Sequence, residues 1–87
     1  MAQAVQEKTI GRVSHCFDHI NVGIVELSEP LRVGDKVHIK GHTTDFVQTV
    51  NSIQIEHQQV QEAPAGTSVG IKVDQHVREG DQVYQAG

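Results

Sequence analysis

Eighty-seven residues leave room for one domain of the usual ~100–200 residues, which excludes a nucleotide-driven motor or a large barrel enzyme. Seven basic residues against eleven acidic ones give a formal charge of −4, with no run of like charge to track a phosphate backbone. The 13 Val and 7 Ile against 2 Leu, with Phe17, Phe46 and Tyr84 as the aromatics, require an aliphatic, β-branched core. Such side chains suit pleated strands better than helices. The expected class is all-β.

Residues 1–8 are polar and read as a flexible N-terminus, followed by a single β-domain over residues 9–87. The start lacks the basic-then-apolar pattern of a secretory signal. No stretch approaches the ~18–20 apolar residues of a membrane span. Cys16 is the single cysteine, so no disulfide framework exists, and a cytoplasmic, membrane-free chain is expected.

In chain order, Thr9 to Phe17 is strand-like, weakened by Gly11 and Ser14. Asp18-His19-Ile20-Asn21 is a turn, because Asp and Asn bond to their own backbone. Val22 to Leu27 is a strand in which Gly23 marks a bulge or a close approach. Ser28-Glu29-Pro30 breaks it, and Gly34-Asp35 makes a tight turn. Lys36 to Lys40 alternates cleanly, Val37 and Ile39 facing in, Lys36, His38 and Lys40 facing out. Ala63-Pro64-Ala65-Gly66 is a second break before a strand from Thr67 to Val73. Gly80-Asp81 turns the chain into a last strand, Gln82 to Tyr84. Between them, Phe46 to Val60 fits two patterns. Phe46, Val50, Ile53 and Val60 suit a helix face capped by Asp45 and Gln48. Thr49 to Ser52 are weak helix formers, and Ile53 and Ile55 alternate about Gln54 as in a strand bent near Asn51-Ser52. The expected core includes Val13, Val25, Val37, Ile39, Ile53, Val69 and Ile71.

Four strings carry a resemblance: Leu31-Arg32-Val33-Gly34-Asp35-Lys36-Val37, Val50 to His57, Glu62 to Ile71, and Val77-Arg78-Glu79-Gly80-Asp81. In this order they resemble the second domain of translational GTPases such as elongation factor Tu. The string His38 to Phe46 is similar instead to the C-terminal barrel of collagenase-like peptidase family members. The resemblance implies a closed six-stranded β-barrel, with the ambiguous segment extended. It further implies a pocket at Gln54, Glu56, His57 and Ser68, where the elongation factors hold the acceptor end of aminoacyl-tRNA. Those factors carry a Glu, a basic residue and an Asn among the positions filled here by Gln54, His57 and Ser68.

Chemistry elsewhere is sparse. His15 and His19, and His38 and His42, are each four residues apart. That spacing pairs ligands on a helix but separates them by about 13 Å along a strand, so solvated histidines are the plainer reading and no metal is expected. Ser14 beside His15, and Cys16 near His19, lack an orienting acid or oxyanion donors. The expected function is therefore a non-catalytic module binding RNA, such as the tRNA acceptor end, or a protein of the translation or RNA-modification machinery. A structural or protein-interaction barrel is the alternative, and the two differ in whether Lys36, Lys40, Lys72 and Arg78 share a face. No cofactor is implied. The chain contains no Gly-x-x-x-x-Gly-Lys-Ser/Thr loop, so it lacks the backbone cradle and lysine that hold a nucleotide triphosphate. Titration calorimetry with GTP should give no heat of micromolar binding; a measurable isotherm would mean that another backbone nest takes the phosphates.

Overall fold

Alternating Val and Ile build the strands, and the residues that cannot extend an alternation end them. A computed structural model describes residues 8–86. The strands are β1 (Lys8–Phe17), β2 (Val22–Leu27), β3 (Leu31–Arg32), β4 (Lys36–Lys40), β5 (Asp45–Thr49), β6 (Ile53–Ile55), β7 (Gln58–Val60), β8 (Glu62–Ala63), β9 (Ser68–Lys72) and β10 (Gln82–Gln85). A single turn of 3-10 helix, Asp18–Ile20, joins β1 to β2 and ends on Asn21 in the left-handed region. Eight strands form one antiparallel sheet in the order β5-β4-β10-β1-β2-β9-β6-β7, and β3 pairs with β8 as a separate ribbon. The expected flexible start lies outside the described residues, except that Lys8 already belongs to β1.

The sheet coils around one core. Inward residues from both its ends, Phe46 of β5 and Ile53 of β6, join Val13, Val25, Val37, Ile39, Val69, Ile71 and Val83 in a single buried cluster. All seven residues expected in the core are at most 1% exposed. Truncating such side chains to Ala typically costs about 2–5 kcal/mol. The segment from Phe46 to Ile55 is extended rather than helical, and it is interrupted over residues 50–52.

The closed six-stranded barrel is not formed. Among the described residues no ladder joins β5 to β7, the two ends of the sheet. At the end of β5, Val50 N–H donates to the Asp35 carbonyl and its carbonyl accepts from Gly34 N–H, each at 2.8 Å, which extends the β4–β5 pairing by one residue before the break at residues 51–52. A side chain spans the gap instead. Gln48, 4% exposed, donates from Nε2 to the Lys72 carbonyl and accepts at Oε1 from Asp74 N–H, both at 2.8 Å. One buried amide thus ties β5 to the end of β9.

Two turns repeat one design. In Leu31-Arg32-Val33-Gly34-Asp35-Lys36-Val37 and Val77-Arg78-Glu79-Gly80-Asp81-Gln82-Val83, the Asp carboxylate accepts from the Arg N–H, at 3.0 and 2.9 Å respectively. Gly34 and Gly80 sit at φ +99° and +93°, which glycine adopts without the clash of a Cβ. Around Gly80, the N–H donates to the Val13 carbonyl and Val13 N–H donates to the Asp81 carbonyl, matching the bonds at Val50. Each turn therefore clamps one buried valine. The second clamp is the tighter: Asp81 is buried and presses on Gly41, where a Cβ would overlap its carboxylate. Asp81→Ala should therefore cost about 0.5–1.5 kcal/mol by removing a part-buried hydrogen bond, and Asp35→Ala, whose bond is exposed, distinctly less. Urea unfolding of both variants measures this; an equal or larger loss for Asp35→Ala would show that burial does not set the ranking.

Candidate functional site

Strand parity predicts that Val13, His15 and Phe17 share one face, and a bulge breaks that parity. The register of β1 on β2 runs Val13 to Val25 and then His15 to Ile24, skipping Ser14. Ser14 Oγ instead donates to the Ile24 carbonyl at 3.3 Å. Beyond the bulge Cys16 turns toward the core, whereas His15 and Phe17 turn outward. Phe17 is left 43% exposed, and Ile20 of the following turn 49% exposed.

Both border a groove of about 360 Å3 on the outer face of β2, β9 and β6. Its apolar side is Phe17, Ile20, Val22 and Ile24, and its polar side is Gln54, Glu56, His57 and Ser68. The structure thus brings together all four residues to which the resemblance pointed. Register explains the shape. Ile24, Gly70 and Gln54 lie side by side across the three strands, and Gly70 leaves the middle of that row empty. A methyl group on Gly70 would touch Val22 and Ile24 at 3.4 and 3.5 Å, ordinary contact distances. Phe17, Ile20, Val22 and Ile24 escaped the sequence reading. Their signal was β2 itself, apolar on both faces where a solvated face should be polar.

The polar side stands on a strained turn. Ile55 pairs with Gln58, so Glu56 and His57 form a two-residue hairpin loop, with φ +52° and +68°. Two positive φ values in a two-residue loop are the type I′ turn, which Asn-Gly fills at least cost. Here an exposed Glu and an exposed His hold it. Strain of this kind persists where the surroundings over-determine it, often beside ligand sites.

The remaining reactive side chains lie apart from the groove's polar side. Cys16 lines a smaller cavity of about 110 Å3 with Asp18 and His76. Burial, and then the Asp18 carboxylate, push its thiol up, away from the reactive thiolate. His76 Nδ1 lies 3.2 Å from Asp18, and His15 Nδ1 3.4 Å from Glu79. His38 Nε2 bonds to Asp45, whose carboxyl is thereby held below the ordinary range, and its ring tilts at 55° against Tyr84. Among the described residues no three His, Cys, Asp or Glu side chains converge as a metal site requires. Three cations face acids: Lys8, Arg12 and Arg32 lie 3.3, 3.7 and 3.6 Å from Glu29, Glu26 and Glu62. Lys36 and Lys40 stand on β4, Lys72 on β9 and Arg78 ahead of β10. No described helix is long and apolar enough to cross a membrane.

No family model matches the chain. Over 76 residues it is 43% identical to an uncharacterised protease of Methanocaldococcus jannaschii, a match covering 86% of this chain and 19% of that protein. Over 82 residues it is 33% identical to a collagenase of Porphyromonas gingivalis, covering 92% of this chain and 23% of the relative. The chain therefore spans about a fifth of the length of the curated relatives it matches. Among solved structures it superposes on the C-terminal domain of a Geobacillus thermoleovorans protein assigned to the U32 peptidases. The TM-score is 0.85 at 20% identity, over 90% of this chain and 99% of that one. A second structure of that domain gives 0.85 at 19% identity over the whole of both chains. The chain has the fold of that C-terminal domain. These matches support the collagenase-like part of the resemblance, and none of them is a translational GTPase.

The hairpin strain has a measurable consequence. Replacing Glu56-His57 by Asn-Gly should raise stability by about 1 kcal/mol, because Asn and Gly enter the left-handed region more cheaply. A urea midpoint that stays put or falls would show that the two side chains are held by favourable contacts rather than against strain.

Proposed function

We propose that the chain is a non-catalytic binding module of the collagenase-like U32 type, with the groove over Gly70 as its seat. One observation carries this reading: Gln54, Glu56, His57 and Ser68 meet opposite exposed Phe17 and Ile20 around a single concavity. Apolar walls with a few hydrogen-bonding groups at the rim are the usual make-up of a ligand seat. The lining offers contact and hydrogen bonds rather than an activated nucleophile, and Cys16, with its raised thiol, lies outside it. The 43% identity to a much longer protease supports a role as an accessory part of such a protein.

A translation-related or RNA ligand is the less favoured occupant. Among the described residues no Lys or Arg lines the groove, so phosphates would find their counter-charges elsewhere. An unstacked base against Phe17 remains a distinct outcome of the test.

The test is amide chemical-shift mapping of the chain against blocked short peptides and RNA trinucleotides. Shifts should gather at Ile24, Gln54, Glu56, Ser68 and Gly70. They should vanish in Gly70→Leu, which fills the groove, and persist in weakened form in Gly70→Ala. Neither variant should lower the unfolding midpoint, since glycine inside a strand costs stability. Shifts confined to other strands, or none at millimolar probe, would remove the groove as the binding site.

A further inference from the structure

The groove is charged unevenly, and the strand register shows how. On the outer face of β9, Ser68, Gly70 and Lys72 follow one another at every second residue. Ser68 is paired with Glu26 on one side. On the other side Glu56, in the turn that follows β6, lines the same groove as Ser68. Neighbouring strands are about 4.8 Å apart, so Glu26 stands one strand spacing from Ser68 on the β2 side, while Glu56 borders Ser68 in the groove from the β6 side. The Arg12 partner of Glu26 lies 3.7 Å away with both side chains more than half exposed, a loose pair that a second cation can join. Lys72 marks the far side of the row, beside Val22. The apolar hollow at Gly70 thus adjoins an acidic step at Ser68, two residues along the same strand.

On this basis we propose that the groove receives an extended protein segment carrying an aromatic or aliphatic side chain and, two residues from it, a Lys or Arg. This rests on the reading of the groove as a binding seat and adds the chemistry of its occupant. The apolar side chain fills the hollow over Gly70 between Ile24 and Gln54, against Phe17 and Ile20. The cation lies over Ser68 between Glu26 and Glu56. Two residues of an extended segment span about 6.6 Å, the same distance that separates Gly70 from Ser68 on β9. A spacing of one residue would send the cation to the opposite side of the segment, away from the carboxylates. Nucleic acid fits the same surface poorly, since its phosphates would face Glu26 and Glu56.

The experiment titrates the full chain with the blocked peptide acetyl-Gly-Phe-Ser-Arg-Gly-amide, reading the amide shifts of Gln54, Glu56, Ser68 and Gly70. Exchanging the Arg for Glu, or moving it next to the Phe, should weaken binding about two- to fivefold, the range of an exposed ion pair. Glu56→Gln and Glu26→Gln should each abolish part of that difference, and molar salt should remove it. Unfolding midpoints of both variants confirm that the fold is retained. Equal binding of the Arg and Glu peptides, or tighter groove binding by an RNA trinucleotide, would overturn the proposed occupant while leaving the groove as a seat. A groove silent to every probe would take both readings down together.

Discussion

Two valines that a turn holds by both main-chain groups set the shape of this molecule. Val13 and Val50 each give their N–H to an Asp carbonyl and take a Gly N–H in return, all at 2.8 Å. Both valines are buried, so their polar groups must be paired inside the protein, and the Gly-Asp turns supply the partners. At Val13 the clamp fastens the start of β10 onto β1 in the middle of the sheet. At Val50 it does something different. It fastens the end of β5 to the turn that leads into β4, and the chain then crosses residues 51–52 to reach β6. The sheet can then coil around its contents although its two end strands never pair.

That arrangement answers the usual hazard of open sheets in an uncommon way. Edge strands expose unpaired main-chain groups, and small β-proteins often remove them by closing the sheet. Here β5 is an edge strand of only five residues, with Val47 exposed on its outer side. The buried Gln48 amide substitutes for a ladder by meeting one carbonyl and one N–H at the end of β9. A side chain is a weaker fastening than a row of main-chain bonds, but it is satisfied on both of its polar atoms, which burial requires. It also explains why a glutamine occupies an inward position of an otherwise apolar alternation.

The legible and illegible parts of the chain divide along physical lines. Lys36 to Lys40 and Val22 to Leu27 coincide with β4 and β2 because alternation and β-branching act locally. The hairpin at Glu56-His57 was not legible, since neither residue belongs to the group that normally signals a turn. The apolar half of the groove was hidden by the bulge at Ser14, because a one-residue slip reverses the side on which every later side chain falls. The polar half was located by resemblance rather than by periodicity. A further signal lay unread in the letters: the Arg-x-Gly-Asp-x-Val pattern at residues 32–37 recurs at 78–83, and the structure gives both copies the same hydrogen bonds. The barrel expectation failed between the end strands β5 and β7, because whether the two ends of a sheet pair is a long-range matter that no local pattern contains.

The groove is a product of these same constraints rather than an addition to them. The core consumes the inward faces of β2, β9 and β6, which leaves the outward face of β2 with Val22 and Ile24 uncovered by any other layer. A fold whose only purpose was stability would place polar side chains there and a larger residue at position 70. Instead glycine opens the row, a bulge re-aims an aromatic ring toward it, and a strained Glu-His turn borders it. Each of the three departures costs stability or regularity on its own. Their meeting at one concavity is difficult to account for by folding alone. It follows directly if this face of the sheet is what the domain presents to a partner.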